Sequence, residues 1–412
     1  MQSDDTAALF SALEGAGGAV RFVGGCVRDA ILGRPVSDID VATDIEPAKV
    51  LDILAAEGIR AVPTGIEHGT VTAIPAGRPF EVTTLRRDVE TDGRRAVVGY
   101  TRDWSEDAAR RDFTMNALSA DRDGNVFDYT DGLADLAAGR VRFIGVAADR
   151  IREDYLRILR FFRFQASYGR TDPDPDAVDA CRAAVGNIEA LSGERVWQEL
   201  SRLLVVDDPT PVLRLMEKTG VLPRLLPVRR MVDRVQALAA LEAMFGLGTD
   251  PIRRLAALIE PSRKEASQVA ARLRLSRIDT DRLASLSAGK GECGPHMEDQ
   301  VLRRSLYRIR GPHFRDLTLL GWADAIVRDR RRATAAAEGW QRTLQAALDW
   351  VQPELPVGGA DALAFGVPEG PAIGELIGEI ENWWVEKAFV PDREACLDRL
   401  RQMTYRRGYR PG

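Results

Sequence analysis

Residues 20–44 constrain this chain more than any other stretch. Val20 to Val23 read as a short buried strand, and Gly24-Gly25 break it. From Cys26 to Leu32 the spacing turns helical, with Val27 and Ile31 four apart on one face. A strand, a turn without side chains and a helix start bring backbone N–H groups to a point where a phosphate can approach. Arg28 adds a charge in the first turn. A tight turn with no ligand accounts for Gly24-Gly25 equally well.

The next strand narrows the choice. Asp38-Ile39-Asp40-Val41-Ala42 alternates, so Asp38 and Asp40 project from one face and Ile39 and Val41 from the other. Two carboxylates side by side repel unless a cation lies between them. Mg²⁺ is a hard ion that takes carboxylate and phosphate oxygens together. A phosphate turn followed by paired aspartates is the layout of a nucleotidyl-transfer site. The competing reading is two exposed aspartates capping a turn.

At 412 residues the chain has length for two to four compact units, and 45% apolar with 29% charged residues is a soluble globular composition. No apolar run approaches the roughly eighteen residues that span a bilayer. Met1-Gln2-Ser3-Asp4-Asp5 shows no secretory signal. The four cysteines (26, 181, 293, 396) form no Cys-x-x-Cys and read as reduced thiols of a cytoplasmic protein. A net charge of −5 argues against a generally basic nucleic-acid binder, yet the cations are almost all arginine, which suits bidentate phosphate contacts. None of the three histidines (68, 296, 313) is followed by aspartate, which excludes a His/Asp phosphohydrolase module.

Along the first third, strands and helices alternate. The spacing predicts a helix over 46–58 and a hairpin over 70–85 with its turn at Pro75–Pro79. Glu81 falls mid-strand; beside the Asp38/Asp40 strand it becomes a third carboxylate, and otherwise it faces solvent. Residues 86–104 are charged and aperiodic and read as a mobile loop. Arg110-Arg111-Asp112-Phe113-Thr114-Met115-Asn116 sets two arginines, fit to hold a triphosphate, beside an aspartate able to accept from ribose hydroxyls. A salt-bridged helix start fits the same residues. A strand is expected at Val141–Ile144. From Asp149 onward the pattern is helix after helix, the first running from Ile151 to Tyr168.

That first long helix carries Asp154, Arg157, Arg160 and Arg163 at three-residue steps, so neighbours along the row meet. An aspartate and an arginine one turn apart imitate a Watson–Crick partner. Asp154 accepts from the amino group of cytosine or adenine, and Arg157 donates to the adjacent ring nitrogen. Uracil and guanine present the opposite polarity and leave buried groups unpaired, at roughly 1–3 kcal/mol each. A salt-bridged helix face is the bland alternative.

Taken in order, Gly24-Gly25-x-Val27-Arg28-Asp29, Asp38-Ile39-Asp40, Arg110-Arg111-Asp112-Phe113-Thr114-x-Asn116-Ala117, Glu153-Asp154-x-x-Arg157 and Ser192-x-Glu194-Arg195 resemble the motifs of a known family. They are similar to those of class II tRNA nucleotidyltransferases (CCA-adding enzymes) and bacterial poly(A) polymerases, within the polymerase-β superfamily. The motifs cover residues 20–205, with a looser likeness at Phe365–Gly374. The resemblance implies an α+β head with a polymerase-β-like sheet, followed by an all-α neck, body and tail. The divisions are 1–145, 146–205, 206–330 and 331–412. It implies that Asp38 and Asp40 bind two Mg²⁺ ions, that Gly24, Gly25, Arg28 and Arg111 hold phosphates, and that Asp112 contacts ribose, with Asn116 in the same nucleotide site. Asp154 and Arg157 would read the base, and Arg160 and Arg163 would support the nucleotide or RNA phosphates. Glu194 and Arg195 would brace the neck. Tyr155 stands where many members carry proline.

The expectation is therefore a cytoplasmic enzyme that builds or repairs the 3′-terminal CCA of tRNA from CTP and ATP. It would grip the acceptor-TΨC arm, with no membrane and no protein partner called for. Alternatives on the same motifs are a poly(A) polymerase and an enzyme adding only part of CCA. A non-catalytic RNA-binding protein with a relic head is the alternative of a different class.

Overall fold

The computed structural model describes residues 3–36, 38–92, 95–289 and 293–410. They form two compact units: residues 1–227 with Arg272–Arg274, and the remainder of the chain from Val228. No helix among the described residues is long and apolar enough to cross a membrane.

The first unit opens with α1 (Asp4–Gly15), β1 (Val20–Val23), α2 (Gly25–Ile31), β2 (Asp40–Thr43) and α3 (Pro47–Ala56). There follow β3 (Arg60–Gly65), β4 (Thr70–Ile74), β5 (Phe80–Thr84), β6 (Arg86–Asp92) and β7 (Arg95–Tyr100). After α4 (Trp104–Ala109) come β8 (Ser119–Ala120), β9 (Val126–Phe127) and α5 (Gly132–Ala138). Seven strands make one mixed sheet in the order β3-β4-β5-β2-β1-β8-β9, with β2 and β5 parallel.

Register explains which face does chemistry. Phe22, Val41, Val82 and Val71 pair across four strands in one row, and each is at most 4% exposed. The helix α1 covers that face, its Phe10 ring 4.6 Å from Phe22. Burying each such side chain contributes about 1.5–3 kcal/mol. Because side chains alternate, the neighbouring row Asp40–Glu81–Thr72 points the other way, off the open face. A core row on one face thus fixes the carboxylates on the other.

Three expectations need correcting. Residues 86–104 are not an aperiodic loop: β6 and β7 pair antiparallel, with a register shift between Asp88 and Glu90. The β-branched residues Val89, Thr91, Val97 and Val98 supply the strand preference, which interspersed charge hides. Val141–Ile144 is not a strand but a single bridge, Phe113 to Phe143, whose rings lie 4.7 Å apart. The helix expected from Ile151 to Tyr168 breaks into α6 (Ala147–Glu153) and α7 (Leu156–Tyr168). At the break Asp154 is extended (φ −153°, ψ 109°), and its carboxylate accepts the Leu156 N–H at 3.0 Å. An aspartate able to satisfy a backbone N–H at a helix start competes with continuing the helix.

The hairpin over 70–85 and the helix near 46–58 stand as β4–β5 and α3. The unit continues through α8 (Pro175–Ala183), α9 (Gly193–Leu204), α10 (Thr210–Lys218) and α11 (Val221–Leu225).

Among its described residues the second unit is built of helices, with one antiparallel bridge between Arg230 and Ile259. It runs through α12 (Val232–Met244), α13 (Pro251–Leu258), α14 (Arg263–Leu273, whose last two residues belong to the first unit), α15 (Arg277–Ala288), α16 (Asp299–Ile309) and α17 (Gly311–Arg328). It ends with α18 (Arg330–Ala335), α19 (Ala337–Leu348), α20 (Gly359–Ala364), α21 (Pro371–Glu386) and α22 (Arg393–Arg406).

Candidate active site

A cleft of about 560 Å³ in the first unit gathers residues from four separate parts of the chain, the last of them Arg202 on α9. The β1–β2 end of the sheet supplies Gly24, Gly25, Arg28, Asp38 and Asp40. The segment after α4 supplies Arg110, Arg111, Asp112 and Asn116. Asp154, Arg157, Arg160 and Arg163 come from α7 and the break before it. Of the metal and nucleotide candidates read from the sequence, Glu81 alone is not part of the lining, and the neck residues Glu194 and Arg195 also lie outside it. Seven arginines and five aspartates line the cleft, an excess of positive charge suited to a polyanion.

Glu81 nevertheless sits level with Asp40 on the adjacent strand and is exposed on the same open face. Burial pushes the Asp40 carboxyl above its usual range, and the charges of Glu81 and Asp38 push it further, against the pull of Arg111. Two carboxylates that raise a third's affinity for positive charge suit a hard divalent cation. The described residues do not already form a closed cage: no group of three or more His, Cys, Asp or Glu is poised as one.

Behind the carboxylates runs a chain of ion pairs. Arg28, 7% exposed, donates from Nη1 to Asn116 Oδ1 at 2.6 Å and from Nη2 to Asp29 Oδ2 at 2.7 Å, and lies 4.1 Å from the Tyr168 ring centre. Asn116 Nδ2 donates to Asp112 Oδ1 at 3.0 Å, and Arg160 Nε to Asp112 Oδ2 at 2.7 Å. Burial opposes ionisation of Asp112, but Arg160 and the hydrogen bond from Asn116 outweigh it and hold the carboxyl below the usual range. Arg163 Nε bonds Glu199 Oε2 at 2.5 Å, and Arg160 Nη1 lies 3.6 Å from Glu199 Oε1.

The base-reading pair is also held. Asp154 Oδ2 accepts from Arg195 Nη2 at 2.7 Å. Arg157 Nη1 donates to Glu153 Oε2 at 2.5 Å and to the Arg150 carbonyl at 2.9 Å. Asp154 and Arg157 thus reach the cleft from a helix break and the first turn after it rather than along one continuous helix face. Glu194 pairs with Arg274 at 2.9 Å.

Sequence reasoning missed four residues. Asp107, 5% exposed, takes Arg111 Nη2 at 3.1 Å and Arg110 Nε at 3.4 Å, and accepts the Arg86 backbone N–H at 3.2 Å, joining the base of the β6–β7 hairpin to the arginine pair. Arg150 binds the Ala109 and Arg111 carbonyls at 3.2 and 2.6 Å. Glu199 anchors Arg163. Arg202 lines the cleft with no carboxylate within ion-pair distance among the described residues. The i,i+4 pairing of Asp107 with Arg111 was a readable signal. Long-range partners such as Glu199 leave no local one.

Gly24 has φ +72° and ψ −128°, and a Cβ there would lie 3.2 Å from Arg111 Nη1. Gly24→Ala is expected to cost about 1–3 kcal/mol in stability from strain. Displacing Arg111 is expected to lower kcat/KM for nucleotide roughly tenfold, which is about 1.4 kcal/mol. Thermal unfolding and initial rates against nucleotide concentration check both.

The family described as "Poly A polymerase head domain" matches residues 20–142, and "Probable RNA and SrmB- binding site of polymerase A" matches residues 172–230. The CCA tRNA nucleotidyltransferase 1 (mitochondrial) of Mus musculus is 32% identical over 93% of this chain and 86% of its own length. The chain belongs to the tRNA nucleotidyltransferase (CCA-adding enzyme) family. A bacterial member, the CCA-adding enzyme of Streptococcus gordonii, is 32% identical and covers 95% of both chains. Two solved members share the fold. The Bacillus stearothermophilus CCA-adding enzyme in complex with CTP superposes with a TM-score of 0.69 at 24% identity, over 98% of each chain. The Thermotoga maritima CCA-adding enzyme complexed with tRNA gives 0.64 at 20%, covering 96% of this chain and 93% of its own.

Proposed function

We propose that this chain is a template-independent nucleotidyltransferase that adds or repairs the 3′-terminal CCA of tRNA, using CTP and ATP and releasing pyrophosphate. One observation carries the reading: relatives named for this activity align over more than nine-tenths of the chain. The cleft supports it, since paired carboxylates face a set of arginines there. The work is cytoplasmic on this reading. The four-part division into head, neck, body and tail goes with it.

Asp38 and Asp40 would hold Mg²⁺, with Glu81 adding charge from the next strand. When bound, Mg²⁺ lowers the pKa of the attacking 3′-hydroxyl and neutralises the leaving pyrophosphate. The chain's own residues do the positioning. The Gly24 N–H is engaged by the Leu118 carbonyl at 3.1 Å, so the Gly25 N–H at the start of α2 and the guanidinium of Arg111 meet the triphosphate, and Asp107 keeps Arg111 turned toward it. Arg28 has its donors engaged by Asp29 and Asn116 and acts by fixing Asn116. Asp112 already accepts from Phe113, Asn116 and Arg160, so a ribose hydroxyl binds it only in exchange for one of these. Arg202 and Arg163 add positive charge beyond Arg160.

Base choice falls to Asp154 and Arg157. Nucleotide entry exchanges the bonds to Arg195 and Glu153 for bonds to the base edge, so these partners set the reading geometry. The test is selectivity. Asp154→Asn, which presents a donor where the carboxylate only accepts, is expected to narrow the CTP-over-UTP preference by about 10–100-fold, worth ~1–3 kcal/mol. Ratios of kcat/KM for CTP and UTP on a tRNA lacking its terminus measure it. An unchanged ratio would remove Asp154 from the base-reading role.

A further inference from the structure

Five arginines are buried among the described residues: Arg28, Arg150, Arg234, Arg253 and Arg254. Four bond a carboxylate directly, through Asp29, Glu153, or Glu242 with Asp316. Arg234, on α12 of the second unit, does not. It is 4% exposed, its Nη1 donates only to the Ala256 carbonyl at 3.1 Å, and its Nε is buried with no hydrogen-bond partner among the described residues. Among the described residues the nearest charges do not compensate it. Asp324 attracts it but is ion-paired to Arg328, which repels it. A guanidinium taken out of water without a counter-charge is costly, and this fold supplies carboxylates to its other buried arginines.

Arg234 also forms part of the wall of a cavity of about 290 Å³, with Leu320, Asp324, Ala325, Arg328 and Trp340. Two cations and one carboxylate therefore face a space large enough for a small molecule. We propose that this cavity binds a small free oxyanion of phosphate size, which completes the hydrogen bonding of Arg234 and balances its charge. The site lies entirely in the second unit and is separate from the nucleotide cleft of the first. Arginine suits such a ligand because its planar fork offers paired N–H donors to tetrahedral oxyanions. The burial of Arg234 favours a free anion over a phosphate embedded in an RNA backbone.

The experiment is equilibrium dialysis of labelled inorganic phosphate against the full chain, at constant ionic strength set with chloride. Three proteins are compared: wild type, Arg234→Met and Ala325→Leu. The nucleotide cleft is the same in all three, so differences between isotherms report the second-unit site whatever the first unit binds. Wild type is expected to bind one phosphate per chain more than Arg234→Met, and Ala325→Leu, which keeps the charge and fills the space, to lose at least tenfold in affinity at that site. Should Arg234→Met fail to fold, Ala325→Leu carries the comparison alone. Three superimposable isotherms would overturn the proposal. A tRNA transcript added as competitor is expected to leave this phosphate in place; displacement would overturn the free-anion assignment.

Discussion

Replacing Asp38 and Asp40 together by alanine is expected to abolish nucleotide addition, by about 10³-fold or more, while tRNA affinity changes little. The magnitude follows from the several kcal/mol of charge stabilisation that a divalent ion supplies at a phosphoryl-transfer centre. Asp40 is where this acts most sharply, because burial and the charges of Glu81 and Asp38 all disfavour its bare carboxylate. Removing mutually repelling charges does not unfold the sheet, since the opposite face rests on Phe22, Val41, Val82 and Val71. The double variant is therefore expected to melt at or above the wild-type temperature. Single-turnover incorporation, tRNA binding and thermal unfolding, read side by side, check the three parts. Parallel loss of binding and turnover would mean that the aspartates serve RNA docking instead of chemistry, and surviving turnover would remove the metal assignment.

Glu242→Ala is expected to be the most destabilising single change in the second unit, by about 3–5 kcal/mol. Glu242, 1% exposed, takes Arg253 through Nε at 2.8 Å and Nη2 at 2.5 Å, and Arg254 through Nε at 2.8 Å. Arg253 also bonds Asp316 at 2.8 Å, which in turn binds Arg282 at 2.7 Å. Deleting one carboxylate removes a shared counter-charge from two buried guanidiniums. For a unit of this size the loss shifts the unfolding midpoint by on the order of 10 °C. Asp398→Ala, which removes an exposed partner 3.7 Å from Arg401, is expected to shift it by almost nothing. Calorimetry on both variants separates the cases, and equal shifts would show that burial does not set the worth of these pairs.

What could be read from the sequence was local. The turn at Gly24-Gly25, the alternation around Asp40 and the hairpin carrying Glu81 are short-range patterns, and the sheet register brings them to one place. The continuous helix over Asp154 was misread because the hydrophobic spacing runs through the break, while the deciding interaction is one carboxylate capping one N–H. The β6–β7 hairpin was hidden by interspersed charges and by a register shift between Asp88 and Glu90 that breaks its alternation. Asp107 was within reach through its i,i+4 partner, but Glu199 and Arg150 act over separations of 36 and 39 residues, which no local pattern records. The two short strands β8 and β9, of two residues each, carry too little sequence to announce themselves.

The most direct measurement is incorporation by the purified protein, with Mg²⁺, on tRNA transcripts ending before CCA, after C and after CC. CTP and ATP are offered singly and together. The account predicts C, C and A in order, then arrest, with addition of A only to the transcript ending in CC. A long run of A on any RNA 3′ end would contradict it and make the chain a poly(A) polymerase.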